Sequence, residues 1–137
     1  MSLKVFLSGA IEGVEEYGRG WRKAATELLH LNGYDVLDPT LIFDTGYETP
    51  EEIVEKNLFL QRRADILLVE YMIKDRPYIG TDFELAWAKF NSQPAVVFTC
   101  DSNKNRVYLK YMATKVTASM ADAIEYISVN YPASYKE

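Results

Sequence analysis

The stretch "YIGTDFELAWA" (residues 78–88) carries the residue types and spacing most able to do chemistry. Thr81-x-x-Glu84 fits a helix capping box: the Thr hydroxyl accepts from the amide three residues on, and the Glu side chain reaches back to the Thr amide. The same four residues can instead hold a carboxylate at the mouth of a cleft. First-turn amides favour its ionised form there, which suits a nucleophile. Thr49-x-x-Glu52 and Ser119-x-x-Asp122 repeat the pattern where no chemistry is expected. Spacing alone therefore favours a cap at Glu84. Gly80, just before Thr81, would allow close backbone approach at the loop-to-helix joint.

Other residues offer weaker chemistry. Gly9, Gly13 and Gly18 follow an apolar run, but neither the G-x-G-x-x-G spacing nor the Walker lysine pattern is present. A plain turn and a turn that lets the backbone approach a ligand both remain open. Asn57 falls on a stripe with Ile53, Leu60 and Ala64. A polar amide there is either satisfied by backbone or offers a donor and an acceptor to a planar polar ligand. Asp65 begins a strand, at the end away from any carboxyl-end crevice, and reads as structural. Cys100 follows an apolar run and reads as a packed small residue. With His30 the only histidine and Cys100 the only cysteine, neither a Cys/His nucleophile pair nor a zinc site is expected, and no cofactor is expected either.

These groups must be positioned by alternating strands and helices. "LKVFLS" (3–8) is a strand. "GWRKAATELLHLN" (20–32) is a helix with Trp21, Ala24, Ala25, Leu28 and Leu29 on one stripe. "YDVLDP" (34–39) is a second strand, followed by a polar loop to Tyr47. "TPEEIVEKNLFLQRRA" (49–64) starts with Thr49 as cap, Pro50 at the first helical position and Glu52 closing a capping box. "DILLVEY" (65–71) is the most apolar strand, hence central. "TDFELAWAKFN" (81–91) is a helix packed through Phe83, Ala86, Trp87 and Phe90, which leaves Glu84 off the apolar stripe. "PAVVFT" (94–99) is the fourth strand, and residues 115–127 give a short fifth strand and a last helix. Such an order predicts a parallel sheet with ligands outside the strands' carboxyl ends, where "SGAIEGV", "DPT" and "YMIKDRPYIGT" converge. The tail "YPASYKE" is expected to be loose or to cross to a partner subunit.

Composition sets the class. The chain has 137 residues, which suits a single domain over 1–137, and 48% are hydrophobic, enough for a core covered on both sides. The net charge of −5, with dispersed basic residues, argues against a nucleic-acid partner. No signal peptide and no run of about 20 apolar residues is present, so a soluble, cytoplasmic protein is expected, without a membrane partner.

Taken in order, "VFLSGAI", "LNGYDVLDP", "EKNLFLQRRADILLVE" and "GTDFELAWA" resemble the nucleoside 2-deoxyribosyltransferase family, and "SMADAIEYI" resembles its final helix. The resemblance implies a flavodoxin-like α/β fold: a doubly wound five-stranded parallel sheet, order 2-1-3-4-5, helices on both faces, assembled as a homodimer or higher homo-oligomer. It implies that Glu84 attacks the anomeric carbon of a 2'-deoxyribosyl group and forms a covalent ester, from which a second nucleobase takes the sugar. Nucleosides and nucleobases are then the partners. Gly9, Ala10 and Ile11 would frame the pocket, Gly80 and Thr81 would support Glu84, and Asn57 would orient the base. Many family members carry Asp at the Asn57 position, and Asn cannot deliver a proton. Tyr108 and Met112, in "VYLKYM", would line the base pocket of a neighbouring subunit. A sister branch hydrolyses 2'-deoxynucleoside 5'-monophosphates and places an Arg in the first loop for the phosphate. The matching residue here is Glu12, which would repel phosphate; Arg19 or Arg22 could compensate, but they sit on or before the first helix, and nucleosides are favoured. A non-catalytic nucleoside- or nucleotide-binding protein is the reading from another class.

Overall fold

The computed structural model describes residues 2–42 and 49–134. Five parallel strands form one sheet: β1 (Lys4–Ser8), β2 (Asp35–Leu37), β3 (Ile66–Tyr71), β4 (Ala95–Thr99) and β5 (Lys115–Thr117), in the order β2-β1-β3-β4-β5. The helices are α1 (Arg19–Leu31), α2 (Pro39–Ile42), α3 (Pro50–Gln61), α4 (Ile79–Phe90), α5 (Val107–Met112) and α6 (Met120–Asn130). This is the expected flavodoxin-like arrangement. All six residues of β3 are buried, as the central position demands of a strand with helices on both faces.

Strand periodicity divides the core in two. Phe6, Leu67, Val69, Ala95 and Val97 point to one face, where Leu60, Leu85, Ala88, Leu109 and Met112 cover them from α3, α4 and α5. Val5, Leu7, Ile66, Leu68, Val96 and Phe98 point to the other, under Ala25 and Leu29 of α1 and Ile124 and Ile127 of α6. Each fully buried Leu or Ile contributes roughly 1.5–3 kcal/mol of transfer free energy. The sheet is thus a rigid platform, and the strand order reverses between β1 and β3. A chain that leaves β1 in one direction and β3 in the other opens a crevice at their carboxyl ends.

Three helical faces differ from expectation. On α4 the buried residues are Thr81, Glu84, Leu85 and Ala88, whereas Phe83 is 50% and Phe90 80% exposed. Small residues and Leu let this helix approach the sheet, and the bulky aromatics turn outward. On α3 the buried residues are Leu58, Leu60 and Gln61; Ile53 is exposed and Asn57 half-buried. On α1, Arg22 takes an inner position with Ala25 and Leu29, and Leu28 faces out. The helix also starts earlier at α4 than the capping box predicts: Tyr78 is the N-cap, without a side-chain bond.

Part of the loop expected at 40–47 is helical, since Asp38 accepts from the Thr40 amide at 2.9 Å and starts α2; residues 43–48 lie outside the described region. The chain after α6 returns to its own N-terminus through residue 134. Leu3 N donates to Ala133 O at 2.7 Å, Ser2 bridges Ser134, and the Tyr34 hydroxyl donates to Tyr131 O. This overturns the expectation of a loose or crossing tail up to that point; residues 135–137 are outside the described region.

Candidate active site

Glu84 sits at the reversal of strand order, 8% exposed, on the inner face of α4. Its Oε1 accepts a 2.6 Å hydrogen bond from the hydroxyl of Ser8, the last residue of β1. Its backbone carbonyl accepts from Gln61 Nε2 of α3 at 2.8 Å. Side chain and backbone are therefore held from two different elements. Burial raises the Glu84 pKa to about 7, against the opposing pull of the Ser8 hydrogen bond and the Arg22 charge. A buried carboxyl group pushed toward neutrality, at the carboxyl ends of the strands where their order reverses, is a functional-site signal.

Beneath it lies a charged layer. Arg22 is fully buried and donates to the carbonyls of Gly9 (3.0 Å), Ala10 (3.5 Å), Tyr17 (3.4 Å) and Gly18 (3.2 Å). Its Nε lies 3.9 Å from the buried Asp38 carboxylate. Desolvation pulls the guanidinium pKa down, and Asp38, Glu84 and Glu70 push it back up. Arg22 thus joins both ends of the β1–α1 loop and supplies the positive charge that the three carboxylates share. The loop needs such a clamp. Gly13 and Gly18 take left-handed conformations, and so do Glu16 (φ 51) and Tyr17 (φ 56), which pay a steric cost that Gly does not.

Glu70, at the end of β3, closes the layer. It accepts from Ala10 N at 3.4 Å, Met72 N at 2.7 Å and the Tyr78 hydroxyl at 2.8 Å. Tyr78 stacks on Tyr71 with ring centroids 4.1 Å apart, and the Tyr71 hydroxyl donates to Asp82 at 2.7 Å. Burial raises the Asp82 pKa and lifts Tyr71 to about 12, so both tyrosines stay protonated donors at neutral pH.

Among the residues singled out from the sequence, Gly9, Ala10 and Ile11 follow directly on Ser8, whose hydroxyl bonds Glu84. A Cβ at Gly9 would come within 2.9 Å of Trp21 and 3.0 Å of Glu70, so packing inside the protein already requires glycine there. At Gly80 a Cβ would meet nothing within 4 Å. Thr81 is buried in the first turn and caps nothing. The Asn57 side chain makes no hydrogen bond among the described residues, and it lies one turn before Gln61 on α3. Tyr108 is 79% exposed on α5, available to another molecule. Met112 is not: it is buried against the sheet in the core. Asp65 accepts from the Lys4 amide at 2.8 Å at the far end of the sheet, in keeping with a structural role.

Sequence reasoning missed Ser8, Gln61 and Glu70, and read Arg22 only as a cation for phosphate, whereas it is buried on the carbonyls of the first loop. Two signals were readable: Glu70 is an acid ending an otherwise apolar central strand, and Arg22 shares the i, i+3, i+7 stripe of Ala25 and Leu29. Among the described residues no group of three His, Cys, Asp or Glu is placed to hold a metal ion, and no helix is long and apolar enough to cross a membrane.

No family model matches the sequence, and no curated protein does. Solved structures do match. A 2-deoxyribosyltransferase from Leishmania mexicana superposes with a TM-score of 0.75 at 18% identity, over 94% of this chain and 99% of that one. A 2-deoxyribosyltransferase from Bacillus psychrosaccharolyticus gives 0.73 at 16% identity, over 98% and 99%. A CMP N-glycosidase from Clostridium botulinum gives 0.63 at 12% identity, over 92% and 98%. At these identities the likeness establishes a shared fold over nearly the whole chain.

Proposed function

We propose that this protein is a nucleoside 2-deoxyribosyltransferase, with Glu84 as the nucleophile. The observation that carries the reading is the placement of one buried carboxyl group, titrating near neutrality, at the strand-order reversal of a fold shared with two 2-deoxyribosyltransferases. An ionised Glu84 attacks the anomeric carbon as the glycosidic C–N bond breaks, through an oxocarbenium-like transition state. The electron pair of that bond leaves with the base, which takes its proton from water. Without a 2'-hydroxyl the sugar cation forms readily, so one carboxylate suffices for attack. A second base then attacks the same carbon, the ester bond breaks, and the carboxylate is restored with overall retention. Asn57 orients the base through its amide. The β1–α1 loop, held by Arg22 and Glu70, walls the sugar at Gly9, Ala10 and Ile11.

The partners are nucleosides and nucleobases. Exposed Ile79, Phe83 and Phe90 on α4, with Val107, Tyr108 and Tyr111 on α5, support assembly into a homodimer or larger oligomer. A cytoplasmic location fits the single free cysteine. A second reading, hydrolysis of a 2'-deoxynucleoside 5'-monophosphate, is favoured by Arg76. Its guanidinium donates to the Glu12 carbonyl at 3.0 Å, bringing a cation to the first loop from the β3–α4 connection.

The test is intact-protein mass spectrometry with deoxyinosine and with a deoxynucleotide, followed by chromatography with free adenine. A deoxyribosyl adduct and newly formed deoxyadenosine are expected. Free base with deoxyribose 5-phosphate selects the hydrolase. Thermal stabilisation by nucleosides with neither adduct nor turnover would leave a binding protein.

A further inference from the structure

Glu84 has two carboxylate oxygens, and they are not equivalent. Oε1 is engaged by the Ser8 hydroxyl at 2.6 Å, and among the described residues no other hydrogen bond reaches the Glu84 carboxylate. Ser8 is 1% exposed and ends β1 on the same face as Phe6, so its position is set by the sheet rather than by a loop. The β1–β3 register pairs Ser8 with Val69, which locks the strand end against the central strand. A hydroxyl on a rigid strand aimed at a carboxylate on a helix fixes that side chain's rotamer.

We infer that Ser8 is a positioning residue for the Glu84 nucleophile, holding Oε1 so that Oε2 is presented to the anomeric carbon. The inference rests on the reading of Glu84 given above. During attack, the C1'–Oε2 bond forms as the bond to the base breaks, and Oε1 becomes the ester carbonyl oxygen with Ser8 still donating to it. When the acceptor attacks, the C1'–Oε2 bond breaks and its electron pair returns to the carboxylate. The Ser8 bond strengthens as that charge returns, because a donor to an ionised acceptor is stronger than to a neutral one. Ser8 therefore serves the nucleophile by orienting it and favouring its ionised form, and serves the leaving group by stabilising the charge that returns.

The electrostatic surroundings make this contact readable by pH. The groups facing Glu84 are the Ser8 hydroxyl from β1 and the Arg22 guanidinium from α1, both of which favour its charged form. Glu70 at the end of β3 and Asp38 after β2 are engaged with Tyr78, backbone amides, Thr40 and Arg22. Asp82, on the same helix, turns to Tyr71. Removing the Ser8 donor leaves Arg22 alone to oppose the effect of burial.

The experiment is the pH profile of kcat/KM for base exchange in wild type, Ser8→Ala, Ser8→Thr and, in parallel, Glu84→Ala, each shown folded by thermal melting. For Ser8→Ala the acid limb should move up by about one pH unit, and the rate at the optimum should fall about ten- to a hundredfold. Ser8→Thr, which keeps the hydroxyl, should restore the limb. Ser8→Cys, close to Ser in size but a weaker donor, gives the same reading if Ala disturbs the strand. A uniform loss with an unmoved limb, or a wild-type profile, would overturn the role of Ser8 while inactive Glu84→Ala leaves the nucleophile in place. Activity in Glu84→Ala would overturn both.

Discussion

Thr49-x-x-Glu52 and Thr81-x-x-Glu84 are the same tetrad with opposite fates. At α3, Thr49 is the N-cap: its hydroxyl accepts from Glu52 N at 3.2 Å and Glu52 answers to Thr49 N at 3.4 Å, both in solvent. At α4 the helix begins two residues before Thr81, Asp82 N bonding to Tyr78 O at 2.7 Å, and Glu84 is buried on Ser8. Pro50 explains the first case, since its fixed φ and missing amide suit the first helical position. Tyr78 explains the second. Its ring is buried on Tyr71 and its hydroxyl is tied to Glu70, so the helix starts where that anchor leaves the chain. A capping tetrad is a local preference of about 1 kcal/mol, and a pinned aromatic outweighs it.

Substitutions at the two glutamates should break the symmetry most clearly. Glu84→Ala should lower base exchange on the order of a thousandfold or more, while Glu52→Ala leaves it within about twofold, measured by chromatographic initial rates. In wild type, kcat/KM should rise with pH through an acid limb near 7, because attack requires the ionised form of Glu84.

Stability should separate the tetrads next. The folded-state pKa of Glu84 lies above its ordinary 4.5, so the folded protein binds that proton more tightly than the unfolded chain. Stability then falls as pH rises from about 4.5 to about 7, and the ionised group costs on the order of 3 kcal/mol above that range. Glu84→Gln removes the charge. It should raise the melting temperature by several degrees at pH 8 and lose that gain below pH 4.5. An inactive variant more stable than wild type would mark the site as built for chemistry at a cost in stability.

The cap itself should give smaller effects. Thr49→Ala should cost about 1 kcal/mol in denaturant unfolding, with catalysis unchanged. Glu52→Gln should cost only a few tenths of a kcal/mol, since its carboxylate is exposed and screened. If Thr49→Ala proved catalytically damaging, the separation between a structural and a functional tetrad would fail.

Much of the fold was legible because its signals are local. Alternating apolar runs, Gly33, Pro39 and Pro50 mark element ends by backbone sterics that no tertiary contact revises. The helix faces were less legible. On α4 both Phe83/Ala86/Trp87/Phe90 and Thr81/Leu85/Ala88 make a 3.6-residue stripe, and periodicity does not say which one meets the sheet. Close approach to the strands selected the smaller side chains and carried Glu84 inward with them. The charged layer was harder still, because Arg22, Asp38 and Glu70 are far apart in sequence. Each reads as an ordinary surface charge until the sheet brings their elements together.

The sequence by itself determined a parallel α/β sheet, a crevice at its carboxyl ends, and a carboxylate at residue 84 close to that crevice. These follow from periodicity, turn chemistry and the alternation of strands with helices, which are properties of neighbouring residues; the order of the strands is implied only by the family resemblance and is set by the tertiary structure. Only the tertiary structure decided that Glu84 is a buried group titrating near neutrality rather than an exposed cap. That outcome depends on desolvation by α4 packing, a hydroxyl from β1 and a guanidinium from α1. A pKa is a sum over groups in space, and chain order alone does not supply their distances.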